Sequence, residues 1–428
     1  MLTNIFECLY EWHLTSVALV CKQYARLATP LMYRRLIFQE DEPDRFLLCQ
    51  SRLLRTLLAR PELAVCVDYL AFRWWYGDDT PSVLLGDLSH TLEAAAQTFK
   101  GTALYTEMAV QLSEPSTDAV AALILSRLPN MGTLRLGMVP WDNNASSNVN
   151  YNCTLTMRTI EAAIAPPFTR TNAILTNLTT MIIDGSPGDF GFFWDIRILS
   201  LFLRLPSLRK ITATNAYCRA KVAGWACLPK TSNVESLSLW DSDVGLEALV
   251  RTLRSCKALK TLYWHQGCRG CDRDVALGQS VINELRPHST SLVNLCLRTS
   301  DCCAAESAIV TAPGSLSTFT ALERLDLGDG FRGTMQDELP LSLPSSLRHL
   351  RMPLFGSIAG LVEKIASAFA TTPALEAVEV RPGPVSIRNA FREHWERVGT
   401  GYREFGMVES GEDEDGAGAV CFERLGVA

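Results

Sequence analysis

One pattern of apolar positions recurs along most of the chain: an apolar residue, two others, an apolar residue, one other, and a third apolar residue. It stands at Val67-Leu70-Phe72, Met131-Leu134-Leu136, Leu178-Met181-Ile183, Leu208-Ile211-Ala213 and Val234-Leu237-Leu239. It continues at Leu259-Leu262-Trp264, Leu292-Leu295-Leu297, Leu322-Leu325-Leu327, Leu347-Leu350-Met352 and Leu375-Val378-Val380. From Leu178 onward the first positions advance by 30, 26, 25, 33, 30, 25 and 28 residues. The earlier steps are longer, 64 and 47 residues, which implies insertions or one further unrecognised repeat; Asp142–Asn152, rich in Asn and Ser, reads as an inserted loop.

The last two apolar residues of each unit lie two apart, so on a short strand they share a face. Helical spacing fills the intervals. Leu246, Leu249, Val250 and Leu253 form one stripe, and Ile358, Leu361, Val362, Ile365 and Phe369 another. No single unit can bury both its strand face and its helix stripe, whereas stacked neighbours bury both. The pattern therefore predicts an α/β solenoid over 63–385, with a curved parallel sheet inside and helices outside. Ten parallel strands are expected near 70–72, 134–136, 181–183, 211–213, 237–239, 262–264, 295–297, 325–327, 350–352 and 378–380. The competing reading is a non-repeating α/β domain whose strands coincide with the pattern.

This series resembles leucine-rich-repeat proteins with long, helix-containing repeats, whose period is near that seen here. It departs from them where an Asn or Cys usually follows the last apolar residue by three positions. Trp75, Val139, Ser186, Ala216, Ser242, Gly267, Ser300, Gly330, Phe355 and Gly383 stand there instead, so the loops are expected to lack that hydrogen-bonded ladder.

The N-terminal stretch follows a different pattern. Between Ala18 and Phe38, Leu19, Val20, Tyr24, Leu27 and Leu31 fall at helix-like intervals opposite Lys22, Arg26, Arg34 and Arg35, and Pro30 is expected to kink or break the helix. Residues 2–38 are expected to be helical. They resemble the F-box of fungal F-box/leucine-rich-repeat proteins: Leu2, Ile5, Phe6 and Leu9 match its first helix. Leu14 and Ala18 to Lys22 match its middle helix, and Tyr24, Leu27, Pro30, Leu31 and Tyr33 its closing pattern. The segment Arg60–Phe72 resembles the link into the first repeat. The family's opening Leu-Pro pair has no counterpart here, so part of the docking surface is expected to be missing.

The resemblance implies a non-enzymatic adaptor. Leu2, Ile5, Phe6, Leu9, Leu19, Val20, Leu27, Pro30 and Leu31 would dock the adaptor subunit of an SCF-type cullin–RING ubiquitin ligase, bringing the cullin scaffold with it. The repeats would hold a protein substrate. The alternative is a ligase-independent repeat scaffold, with the N-terminal segment merely capping the first repeat. The implied organisation is residues 1–40 F-box-like, 41–62 a helical linker, 63–385 the solenoid, and 386–428 a C-terminal extension. In that extension, Glu412, Asp413, Glu414 and Asp415 are expected in a flexible solvated stretch.

Residues flanking the apolar strand pairs should point to the concave side of the solenoid. They include Trp240, Tyr263, His265, Arg298, Arg324, Asp326, Arg351 and Arg381. Aromatics and arginines anchor interfaces, and four neighbouring arginines, if bare, would favour an acidic or phosphorylated ligand. The Trp74-Trp75 loop and the convex helices are the fallback surfaces.

Composition narrows the class further. The net charge of −6 and the absence of a dominant Lys/Arg block argue against nucleic-acid binding. No apolar run approaches membrane-spanning length, and Glu7, Glu11 and His13 interrupt any secretory leader. The 14 cysteines are therefore expected to be reduced, in the cytoplasm or nucleus, and the glycosylation-like triplets at Asn144, Asn152 and Asn177 to be chance matches. Cys268, Cys271, Cys302 and Cys303 follow adjacent strands by similar offsets, and four thiolates would suit zinc. Adjacent Cys302 and Cys303 are poorly placed to chelate one ion together, so no metal and no cofactor is expected. No catalytic constellation is present: the six histidines are scattered, and the glycine-rich stretches lack the residues of a phosphate loop.

Overall fold

The computed structural model describes residues 2–39, 43–72, 89–100, 103–111, 117–137, 154–164, 174–185, 194–218, 222, 224–267, 279–299, 315–328, 342–353, 365, 367–368, 371–381, 405–412 and 418–424. The chain forms two compact units, residues 1–213 and 214–428.

The first unit begins with three helices, α1 (Leu2–Glu7), α2 (Glu11–Ala18) and α3 (Lys22–Met32), followed by β1 (Arg35–Phe38). Then come α4 (Pro43–Ala59), α5 (Pro61–Ala64), β2 (Tyr69–Phe72), α6 (Ser89–Ala96), α7 (Ala103–Gln111), α8 (Thr117–Leu125) and β3 (Thr133–Gly137). It continues with α9 (Thr154–Ile164), β4 (Thr180–Asp184), β5 (Trp194–Asp195), α10 (Leu199–Phe202) and β6 (Lys210–Thr214). Strands β1, β2, β3, β4 and β6 pair in that order, all parallel. Leu70, Leu134, Met181 and Ile211 stand in register, as do Phe72, Leu136, Ile183 and Ala213, and all eight are buried. Asp118 at the start of α8 is buried, and its carboxylate accepts the Leu155 and Thr156 N–H groups at 2.7 and 3.1 Å. It thereby caps the first turn of α9.

The second unit contains β7 (Ala216–Cys218), β8 (Ser236–Trp240), β9 (Asp243–Val244), α11 (Leu246–Ser255), β10 (Thr261–Gln266), α12 (Gln279–Leu285) and β11 (Asn294–Thr299). It ends with β12 (Arg324–Leu327), β13 (His349–Pro353), β14 (Ala377–Arg381), β15 (Phe405–Glu412) and β16 (Gly418–Arg424). Strands β8, β10, β11, β12, β13 and β14 form a parallel series. Leu237, Leu262, Leu295, Leu325, Leu350 and Val378 form its buried row. The ten expected strands are thus all present, and within each unit they pair in parallel.

The repeat extends to the backbone. Just before each strand, one carbonyl accepts the N–H groups of two consecutive residues in the next repeat. Asp68 accepts from Gly132 and Thr133, Gly132 from Thr179 and Thr180, and Thr179 from Arg209 and Lys210. In the second unit Glu235, Lys260, Val293, Glu323 and Arg348 do the same. A second device replaces part of the missing Asn ladder. A serine just before the first apolar position donates to the carbonyl of the preceding repeat's first apolar residue: Ser207 to Leu178, Ser291 to Leu259 and Ser346 to Leu322, at 2.8–2.9 Å. At one of the positions where the Asn is missing, the buried Ser242 hydroxyl accepts from the Ala216 N–H and donates to the Trp240 carbonyl.

Three expectations are corrected. Residues 35–38 are a strand, not helix; Arg35 to Phe38 pair with Tyr69 to Phe72, and the Arg34 carbonyl accepts the Asp68 and Tyr69 N–H groups. Pro30 does not interrupt α3, which runs through it to Met32. Proline removes one N–H, a small loss within the last turn, and the Tyr33 N–H still reaches the Thr29 carbonyl. The C-terminal extension supplies a hairpin: β16 pairs antiparallel with β14, and β15 antiparallel with β16. Glu412 closes β15, while Asp413, Glu414 and Asp415 lie outside the described residues.

Candidate functional site: two binding surfaces

The N-terminal helices build a small core of their own. Phe6, Leu14 and Ala28 are buried, and Leu9, Val17, Tyr24, Leu27 and Leu31 pack partly buried around them. Phe6 meets Tyr24 edge-to-face at 5.5 Å. The expected docking residues therefore divide. Phe6, Leu9, Leu27 and Leu31 hold the bundle together, whereas Leu2, Ile5, Leu19 and Val20 are exposed, Leu19 by 84% and Val20 by 68%. Pro30 is exposed too. Leu19 and Val20 lie in the turn between α2 and α3 rather than on a helix. Tyr10 and Trp12, which the sequence reading did not single out, are also exposed and stack at 6.3 Å. Isolated exposed apolar residues are ordinary; several on one small bundle are not.

The other surface is the open face of the second unit's sheet. Alternate strand residues turn away from the buried rows, and the structure brings most of the expected residues together there. Trp240 stacks on Tyr263 with ring centroids 3.8 Å apart and 27° between planes. The Arg298 guanidinium lies over Tyr263 at 5.7 Å. His265 Nδ1 is 2.8 Å from Asp241 Oδ1. Asp326, directly in register with Cys296 and Arg351, sits 2.5 Å from Arg298 and 3.9 Å from Arg351. Arg351 Nε also lies 3.0 Å from Glu379, as an ion pair outside hydrogen-bond geometry. Arg324 is exposed and has no ion pair among the described residues. The Arg381 side chain lies outside the described residues, as do Trp74, Trp75 and the four candidate zinc ligands Cys268, Cys271, Cys302 and Cys303.

This arrangement corrects the premise of a bare arginine patch. Asp326, expected on this face, and Glu379, which the apolar pattern does not single out, are placed by register beside arginines, and each neutralises its neighbour. Burial disfavours the Arg298 charge, but the bond and attraction to Asp326 outweigh it and hold the guanidinium protonated. Gly328 makes the arrangement possible: a Cβ there would lie 2.8 Å from Arg298 Cα.

None of the eight cysteines whose side chains are described is in a disulfide. Burial pushes the Cys256 thiol up to about 12, with Cys227 adding to it, and burial followed by the Asp326 charge raises Cys296 as well. Neither is a ready thiolate nucleophile. Among the described residues no cluster of His, Cys, Asp or Glu is placed to hold a metal ion, and no helix is long and apolar enough to cross a membrane. The chain matches no model of a known protein family and no curated protein.

Proposed function

We propose that the chain is a non-enzymatic substrate-recognition subunit of an SCF-type cullin–RING ubiquitin ligase. The N-terminal bundle docks the ligase's adaptor subunit, and the open face of the repeats holds the substrate. The observation that carries this reading is the exposed set Leu2, Ile5, Leu19 and Val20 on a bundle whose core is already complete without them. Side chains of this kind each gain about 1.5–3 kcal/mol when a partner buries them fully. The resemblance of this segment to the F-box names the partner.

A second reading has one observation in its favour. Strand β1 follows α3 after a two-residue turn and adds to the edge of the sheet, which suits a cap of a ligase-independent repeat scaffold. Co-purification separates the two. The tagged chain, co-expressed with adaptor and cullin, is expected to retain both, and Leu19→Asp with Val20→Asp is expected to release them while leaving the melting temperature unchanged. A wild-type chain that fails to retain the adaptor sinks the ligase reading and leaves the scaffold.

A further inference from the structure

The stacked ladder on the open face has two ends that are built differently. At one end Arg298 lies over the Tyr263 ring and Asp326 holds its guanidinium, so cation, ring and carboxylate are all present. At the other end Trp240 stacks on Tyr263, and among the described residues no cation lies over the indole of this residue, which is 38% exposed. The nearest carboxylate in sequence is on the next residue. Asp241 follows Trp240 directly and its side chain is 63% exposed.

The backbone holds that carboxylate in position. Asp241 has φ +46°, a left-handed conformation that aspartate tolerates but does not prefer. The next residue, Ser242, donates its N–H to the His265 carbonyl at 3.1 Å, and its own carbonyl accepts from Gly267 at 3.3 Å. Gly267 packs so closely that a Cβ would come within 2.7 Å of the Asp241 backbone carbonyl oxygen. His265 binds Oδ1 of the carboxylate, and this bond keeps Asp241 ionised below its ordinary range. Among the described residues no donor reaches Oδ2.

We infer that the Trp240–Asp241 corner receives an arginine or lysine side chain from the partner protein, completing at this end the arrangement that Arg298 completes at the other. A cation over an indole with a carboxylate beside it gains from both. The two rings stack on each other rather than boxing the site, so the corner selects positive charge and does not enclose a methylated ammonium group. The inference rests on reading the open face as the partner-binding surface. It replaces the acidic or phosphorylated ligand expected of a bare arginine patch, because the structure pairs Arg298 and Arg351 internally.

The test is fluorescence anisotropy with a labelled Gly/Ser decapeptide carrying two adjacent arginines, in about 150 mM salt so that the chain's general negative charge is screened. The same peptide with citrulline, and one with phosphoserine, are the comparisons. The arginine peptide is expected to bind most tightly. Trp240→Leu, which leaves charge unchanged, is expected to weaken it by roughly 2- to 30-fold. Asp241→Asn should weaken it in the same range, while Trp240→Phe, which keeps a ring, should retain most of the affinity. Circular dichroism confirms that each variant is folded, and Trp240→Phe keeps the test usable if Trp240→Leu melts. Equal binding of the citrulline peptide, tighter binding of the phosphoserine peptide, no binding of the arginine peptide, or a folded Trp240→Phe as weak as Trp240→Leu overturns the inference. The Leu19→Asp, Val20→Asp chain should bind the peptide normally, so loss of adaptor docking and loss of this corner are read separately.

Discussion

At the scale of single residues, small polar groups tie one repeat to the next. Ser291 donates to the Leu259 carbonyl at 2.9 Å and sits part-buried beneath the following strand. Ser291→Ala is expected to lower stability by about 1 kcal/mol, read from urea denaturation midpoints with an unchanged slope. His288 does similar work at greater depth. Its Nδ1 accepts the Leu259 N–H at 3.2 Å, and its Nε2–H donates to the Leu253 carbonyl of α11 at 3.1 Å. Burial holds this imidazole below its ordinary range; the bond to Leu253 pushes back, and the Lys230 charge adds to the lowering. A histidine with a depressed folded-state value contributes stability that is fully present above its unfolded value of about 6.5 and is lost as pH falls through the lower folded value. Wild type should therefore lose stability between pH 7.5 and pH 5 by more than His288→Asn does. Equal losses in parallel denaturation curves would show that the imidazole takes up protons alike in the folded and unfolded states.

At the scale of elements, the C-terminal hairpin decides how the parallel series ends. Strand β14 pairs with β13 on one side and with β16 on the other. An unpaired strand edge is a template for pairing with another chain. Ending the chain before Phe405 should expose the β14 edge and produce concentration-dependent association in light scattering. Full-length protein should stay at one mass over the same range; a truncated chain that does likewise would mean that something other than the hairpin protects the edge. The hairpin was not legible in the sequence because its strands, FGMVESGE and GAVCFER, carry glycines and no apolar triplet of the repeat type. β1 escaped for a related reason: its four residues follow a basic helical segment, and only pairing with β2 makes them a strand.

At the scale of the whole molecule, the two functional readings differ in what the N-terminal bundle is for. Its core of Phe6, Leu14 and Ala28 is built from its own helices. If the bundle is a docking module, removing residues 2–33 should leave the melting temperature of the remaining chain within a few degrees and abolish adaptor retention. If it is a cap, melting should fall sharply, because a terminal repeat without its cap exposes its apolar edge. Differential scanning calorimetry of the two chains distinguishes these outcomes. The same contrast bears on the substrate surface, since the Trp240–Asp241 corner should bind its arginine peptide with or without the bundle.

The apolar triplets by themselves determined ten strands, their parallel sense and the residues of the buried rows, because alternation on a strand and recurrence between strands both lie within the chain's own order. Tertiary structure decided the rest. Only register between strands far apart in sequence places Asp326 beside Arg298 and Arg351, and so turns two of the expected bare cations into neutralised pairs. Apolarity likewise cannot say whether a residue closes a bundle or is left for a partner; Phe6 and Ile5 are neighbours in sequence, yet one is buried and the other exposed. A side chain's surroundings are supplied by residues distant in sequence, and that is why the repeat could be read from the chain while the chemistry of its surfaces could not.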